Sequence, residues 1–311
     1  MSNPVGVLLM AYGTPRSADP EDVLKYYTHI RHGHPPSAAQ LDDLVQRYQA
    51  IGGSPLFTIT SAQADALQSA LDHDHGPGRF RIYLGLKHTT PFIADGVRQM
   101  AEDGIQRAVL LVLAPHYSNM SVGVYLSEAE SAADLDHLPL QLIAVRQWHL
   151  QPGLIQLWAD RIRATLGRFS LDDQGDVPVV FSAHSLPQRI LQTNDPYPQQ
   201  LHETGEAVAR HLNLPHYTFS WQSAGRTSEP WMEPDILDKL TLLRNEGHRS
   251  ALICPLGFVS DHLEVLYDLD IQAQAHAKAL GMHIERTPQL NADPAFAAVL
   301  AEVVRHAADT P

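Results

Sequence analysis

Short apolar runs alternate with helix-like stretches along the whole chain, and this alternation constrains the fold more than any other feature. Runs rich in β-branched residues or leucine occur at 5–10, 81–86, 108–113, 140–145, 177–181, 217–221 and 250–254. Continuous apolar runs of that length suit strands buried on both faces, and helical segments between them predict parallel sheets covered by helices. The pattern breaks near residues 148–153, with four strands before the break and three or four after it. The chain therefore reads as α/β, in two similar halves. Local signals add detail: Asp19-Pro20-Glu21-Asp22 and Thr90-Pro91 read as helix starts, Gly104 as a helix stop, and DHDHGPG (72–78) as an exposed turn.

In open parallel sheets, ligands bind beyond the carboxyl ends of the strands, so chemistry is sought there. The first run leads into Met10-Ala11-Tyr12-Gly13-Thr14-Pro15. Neither G-x-G-x-x-G nor G-x-x-x-x-G-K-[ST] occurs near it, which removes the main support for dinucleotide or P-loop binding. VVFSAHSLPQRI (179–190) begins as a buried strand and ends that strand at His184, with Pro187 placed to open a helix. After Cys254, the stretch PLGFVSDHLE leads into a helix on which Glu264, Asp268 and Gln272 fall four residues apart, and so on one face. A buried Glu and Asp one turn apart repel each other unless a cation or proton lies between them. With His184 from a neighbouring strand end they make a nitrogen and oxygen site suited to a divalent first-row metal such as Fe²⁺. The alternative is that Glu264 only caps or pairs at the surface. Ser185 beside His184 admits a hydrolase, but its flanks do not form the G-x-S-x-G elbow.

Composition narrows the function classes further. A net charge of −13 argues against a general nucleic-acid binder, so any anionic ligand needs a local basic patch. Cys254 is the only cysteine, which excludes an intramolecular disulfide, a zinc ribbon and a self-contained cysteine-ligated iron–sulfur cluster. No run approaches the roughly 18 consecutive apolar residues of a membrane span. MSNPVGVLLMAYGTP has no basic region before its apolar stretch, and the reading is a soluble, cytoplasmic protein.

Nine stretches carry a resemblance that covers nearly the whole length: MAYGTP (10–15), YYTHIRHG (26–33), RYQAIGGSPL (47–56), GLKHTTPFI (85–93), LAPHYS (113–118), SAHSLP (182–187), DPYPQQLHE (195–203), WQSAG (221–225) and GFVSDHLEVLYD (257–268). In these the chain resembles the ferrochelatase family, which inserts ferrous iron into a porphyrin, and more closely its soluble bacterial form acting on coproporphyrin III. The resemblance implies two Rossmann-like, chelatase-like domains, each a parallel four-stranded sheet flanked by helices, with a porphyrin cleft between them. Residues 1–147 plus a C-terminal helix at 287–311 make one domain and 148–286 the other. It implies that His184 takes pyrrole protons or binds iron, that Glu264 is its paired carboxylate, and that Tyr12 approaches the metal from the opposite face. Arg31, Arg47, Tyr48, Ser54 and Tyr125 match positions that hold the macrocycle and its propionates, while Lys87 and His88 line the same cleft. Asp268 is the next member of the acidic row and His88 a further candidate metal residue; Gln272 stands where the row otherwise continues with a third carboxylate.

The implied protein is a monomeric lyase that makes Fe-coproporphyrin III (coproheme) in haem biosynthesis. Iron is its substrate, and no resident cofactor or iron–sulfur cluster is expected. Its partners are coproporphyrin III, Fe²⁺ and, transiently, a downstream coproheme decarboxylase, without nucleic acid or stable membrane insertion. Alternatives are a protoporphyrin IX ferrochelatase, a cobalt or nickel chelatase of another tetrapyrrole, and a non-enzymatic haem carrier. Coproporphyrin carries four carboxylates, for which Arg31, Arg47, Lys87 and the backbone N–H groups around Gly52-Gly53-Ser54 are the expected donors. A neutral His184, with an ordinary pKa of about 6.5, suits proton acceptance near pH 7.

Overall fold

The computed structural model describes residues 3–170, 176–225 and 227–310. The chain divides into two compact units, 1–148 with 291–311, and 149–290.

The first unit runs β1 (Val5–Ala11), α1 (Pro20–Ile30), α2 (Ala38–Ala50), α3 (Leu56–His75), β2 (Phe80–Leu86), α4 (Ile93–Glu102), β3 (Arg107–Val112), α5 (Val122–Leu135) and β4 (Gln141–Val145). Its strands pair in parallel in the order β2-β1-β3-β4. Val7 to Met10 and Ala108 to Leu111 are wholly buried, which is why these segments read as unbroken apolar runs. In the second unit, α6 (Pro152–Leu166) precedes β5 (Val179–His184), a 3₁₀ turn (Gln188–Thr193), α7 (Tyr197–Leu212), β6 (Tyr217–Gln222), α8 (Ile236–Asn245) and β7 (Ser250–Cys254). There follow a one-turn helix, α9 (Leu263–Leu266), a π-helical segment (Asp268–Ala273), α10 (Gln274–Ala279) and β8 (His283–Arg286). The sheet order is β6-β5-β7-β8, again all parallel, so each half repeats the order 2-1-3-4. The chain ends in α11 (Pro294–Asp309), which packs on α3, β3 and β4 of the first unit.

Two parallel four-stranded sheets flanked by helices are thus the observed architecture. Asp19 caps α1 with Pro20 in its first turn, and Gly104, at φ +75°, follows the end of α4. Two local expectations are corrected. Thr90-Pro91 does not start α4: Pro91 still accepts a bond from Leu86 N–H (2.8 Å), alongside the end of β2, so the helix begins at Ile93. Its first-turn acceptor is Asp95, which receives Phe92 N–H at 2.8 Å. The turn expected at 72–78 begins only at Gly76, because α3 continues to His75. The regular helix expected to carry Glu264, Asp268 and Gln272 is instead a single α-turn followed by a π-helical segment, in which Tyr267 O accepts from Gln272 N–H (2.9 Å), an i→i+5 bond.

Candidate active site

His184 ends β5, between Ala183, whose side chain is wholly buried, and Ser185. Its carbonyl accepts the Tyr197 hydroxyl at 3.0 Å, and its Nδ1 donates to the Ser185 carbonyl. A carbonyl only accepts, so Nδ1 carries a proton and Nε2 is the atom turned to Glu264, whose Oε1 lies 3.4 Å away. The other oxygen, Oε2, is 3.6 Å from His262 Nε2, and His262 Nδ1 is likewise tied to a carbonyl, that of Ser260, at 3.0 Å. Gln222 Nε2 donates to the Glu264 carbonyl at 2.9 Å, which holds the one-turn helix against the end of β6.

A close approach sets this geometry. Gly257 N–H donates to Ser182 O at 3.0 Å, and a Cβ on Gly257 would lie 2.4 Å from that of Ala183. Only glycine lets the 255–262 loop cross the end of β5 and bring His262 and Glu264 to His184.

Electrostatics couple the pair. Burial disfavours the imidazolium of His184, but Glu264, the Ser185 carbonyl and Asp268 outweigh it, and its pKa is pushed up to about 9. Burial alone would raise Glu264; His184 and then His262 hold its carboxyl far below the usual range. The pairing with Glu264 thus favours the imidazolium of His184 over the neutral imidazole expected from its ordinary pKa. The two side chains stay reachable, at 33% and 34% exposed.

Asp268 is buried at the start of the π-helical segment, where its Oδ2 accepts the Ser223 hydroxyl at 2.5 Å. Ser185 Oγ is buried and donates to Met232 O at 3.0 Å, which occupies the hydroxyl that a hydrolase would need as nucleophile. Trp221 is buried against Tyr197, with ring centroids 5.8 Å apart.

The other candidates belong to the first unit. Tyr12 follows β1, is 43% exposed and meets His88 edge-on at 4.6 Å. His88 is buried, with its Nδ1 3.0 Å from that of His29. Burial first, then Lys87, His29 and His32, push it down to about 3, so it is neutral. Tyr26 links this group to Tyr48, its ring edge-on to His88 at 6.4 Å and to Tyr48 at 6.5 Å. The Lys87 ammonium lies over the Tyr125 ring at 5.1 Å; burial lowers its pKa against the opposing pull of Glu128. Arg31 caps α1 and donates to His34 O at 3.2 Å, and Arg47, in the last turn of α2, pairs with Asp43 at 2.9 Å. Ser54 Oγ accepts Leu56 N–H at 3.3 Å. The backbone donors expected at Gly52 and Gly53 are already engaged, by Gln49 O at 3.0 Å and Tyr48 O at 2.8 Å, which close the end of α2.

Sequence reasoning missed His262, Gln222, Ser223 and Tyr197. All four lie inside quoted motifs, but a pairing across strand ends leaves no local pattern to read. Among the described residues no group of three His, Cys, Asp or Glu side chains is arranged to hold a metal ion. His184, Glu264 and His262 form a row with the carboxylate in the middle.

The sequence profile of the ferrochelatase family matches residues 4–308. A coproporphyrin III ferrochelatase from Listeria monocytogenes serovar 1/2a is 46% identical over 306 residues, covering 98% of each chain. One from Anoxybacillus flavithermus is 47% identical, covering 96% of this chain and 95% of its own, and a ferrochelatase from Herpetosiphon aurantiacus is 44% identical, covering 98% and 99%. Among solved structures, the sirohydrochlorin chelatase SirB from Bacillus subtilis subspecies spizizenii, in complex with cobalt, superposes with a TM-score of 0.59 at 11% identity, over 99% of this chain and 97% of that one. SirB from Bacillus subtilis with Fe³⁺ gives a TM-score of 0.61 at 10% identity, over 98% and 96%. That likeness is one of fold.

Proposed function

The chain belongs to the ferrochelatase family, and from that premise we propose that it inserts ferrous iron into coproporphyrin III, giving coproheme and releasing the two pyrrole protons. The observation that carries the reading is the His184–Glu264 pair at 3.4 Å, partly exposed at the end of β5, in a chain similar over its full length to coproporphyrin III ferrochelatases.

Iron is the substrate, and the reaction needs no resident cofactor. Glu264, held as a carboxylate between two imidazoles, offers an anionic oxygen to Fe²⁺ as it sheds water. The arriving dication then opposes the charge on His184, whose part-exposed Nε2 releases its proton to solvent and accepts one pyrrole N–H proton; passing that to solvent in turn frees Nε2 for the second. Asp268 adds negative charge behind the pair. In the first unit Arg31, Arg47 and Lys87 provide charge for the propionates, with Tyr48, Ser54 and Tyr125 as neighbours of the macrocycle and Tyr12 as the phenol that meets the metal. The cationic groups answer locally what a net charge of −13 opposes globally. The product keeps its four carboxylates and passes by transient contact to a coproheme decarboxylase.

The test is anaerobic insertion of Fe²⁺, with coproporphyrin III and protoporphyrin IX assayed in parallel by the absorption of the metallated product. Turnover of coproporphyrin III is expected, with a loss of roughly 100-fold or more in His184→Ala. Absence of conversion with both porphyrins, or near-normal turnover in His184→Ala, would refute the reading.

A further inference from the structure

The segment that carries His262, Glu264 and Asp268 has little structure of its own. α9 is a single turn, and the π-helical segment that follows closes wider rings than an α-helix does. What holds it comes from two strand ends. From β6, Gln222 grips the Glu264 carbonyl at 2.9 Å and Ser223 the Asp268 carboxylate at 2.5 Å. From β8, its last residue, Arg286, reaches both flanks of the segment at once. Its Nε and Nη2 donate to the two oxygens of Asp270 at 2.7 and 2.8 Å. Its Nη1 lies 3.4 Å from Asp261 Oδ1 and donates to the Thr287 carbonyl at 3.0 Å. Asp261 directly precedes His262, and Asp270 lies inside the π-helical segment, so one guanidinium ties together the two sides of the stretch bearing Glu264.

We propose that Arg286 is a positioning residue for the metal-handling side of the site, fixing His262 and Glu264 against His184 through Asp261 and Asp270. This rests on the iron-insertion reading above. The side chain is only 15% exposed, and a shielded, bidentate pair orients its partners in a way that an exposed ion pair does not. Lysine, a point charge, cannot reproduce the fork that engages Asp270 while a third nitrogen meets Asp261.

Three variants test this: Arg286→Met, Arg286→Lys and Asp270→Asn, the last removing one arm at a part-exposed carboxylate if Arg286→Met fails to fold. Outer partners of metal-handling residues commonly matter by about 10- to 100-fold, and a fall of that size in kcat/KM for Fe²⁺ is expected in Arg286→Met, with the KM for coproporphyrin III unchanged. Arg286→Lys is expected to recover only part of it. Hydrogen exchange, read without substrate, is expected to speed up at the amides of 261–270 in all three variants. Wild-type metal kinetics in Asp270→Asn and Arg286→Lys, with only a lower Tm, would make Arg286 a stability residue and overturn the proposal. If the wild-type protein inserted no iron, the functional reading would fail by itself; unchanged exchange at 261–270 in the variants would then overturn the clamp as well.

Discussion

The proton on His184 sets the pH dependence expected of the metal step. Its pKa in the pair is pushed up to about 9 from an ordinary 6.5, so if Glu264 takes iron as proposed, the imidazolium competes with Fe²⁺ for it across that window. Raising the pH removes the competitor, and the KM for Fe²⁺ is expected to fall as pH rises from 6.5 towards 9; initial rates under anaerobic conditions at fixed porphyrin measure it. The same shift bears on stability with a definite sign. A histidine raised in the folded state stabilises fully below its unfolded pKa and loses that contribution as pH rises through about 9. Ser185 gives the opposite kind of prediction. Its hydroxyl satisfies the Met232 carbonyl in the interior, so Ser185→Ala is expected to cost about 1–3 kcal/mol in urea unfolding while insertion kinetics stay unchanged. A large loss of turnover without loss of stability would instead give Ser185 a part in the chemistry.

At the scale of elements, the site depends on how tightly the loop after β7 crosses the end of β5. Gly257→Ala would place its Cβ 2.4 Å from that of Ala183 and 2.8 Å from the Ala183 Cα. Backbone cannot yield as a flexible side chain does, and overpacking of this kind costs about 1–3 kcal/mol. The loop must lift, carrying His262 and Glu264 with it, so insertion activity is expected to fall further than thermal stability suggests; paired kcat/KM and Tm measurements show which dominates. The helix after this loop is also less regular than its spacing implies, because the i→i+5 bond from Gln272 to Tyr267 widens it, and no local pattern announces that. β8 was hard to read for a different reason. His283–Arg286 is a four-residue edge strand with a polar sequence, half of its positions half-buried and one exposed, and so without the apolar run that marks the other strands.

For the whole molecule, the two units differ in how the chain builds them. The second is one continuous stretch, 149–290, with its own core around Val180, Leu240, Ile253 and Leu269. The first needs residues from both ends of the chain, since α11 returns to it and buries Phe296, Leu300 and Val304. Each such side chain contributes roughly 1.5–3 kcal/mol by burial. A fragment of 149–290 is therefore expected to fold alone, with cooperative thermal unfolding by circular dichroism, whereas 1–148 without α11 is not; cooperative unfolding of 1–148 would contradict this. Much of the architecture was legible in the residues themselves. Alternating apolar runs declare parallel strands, and strand ends place His184, Tyr12 and the Glu264 segment at the edges where ligands bind, because burial and periodicity act over a few neighbouring residues. Other features were decided only by tertiary structure. They include the charge on His184, the employment of the Gly52 and Gly53 N–H groups, the burial of Ser185 and the reach of Arg286 to Asp261 and Asp270. Each depends on which groups meet across separate strands and loops, and a chain's local pattern carries no record of the partner that desolvation and hydrogen bonding will choose.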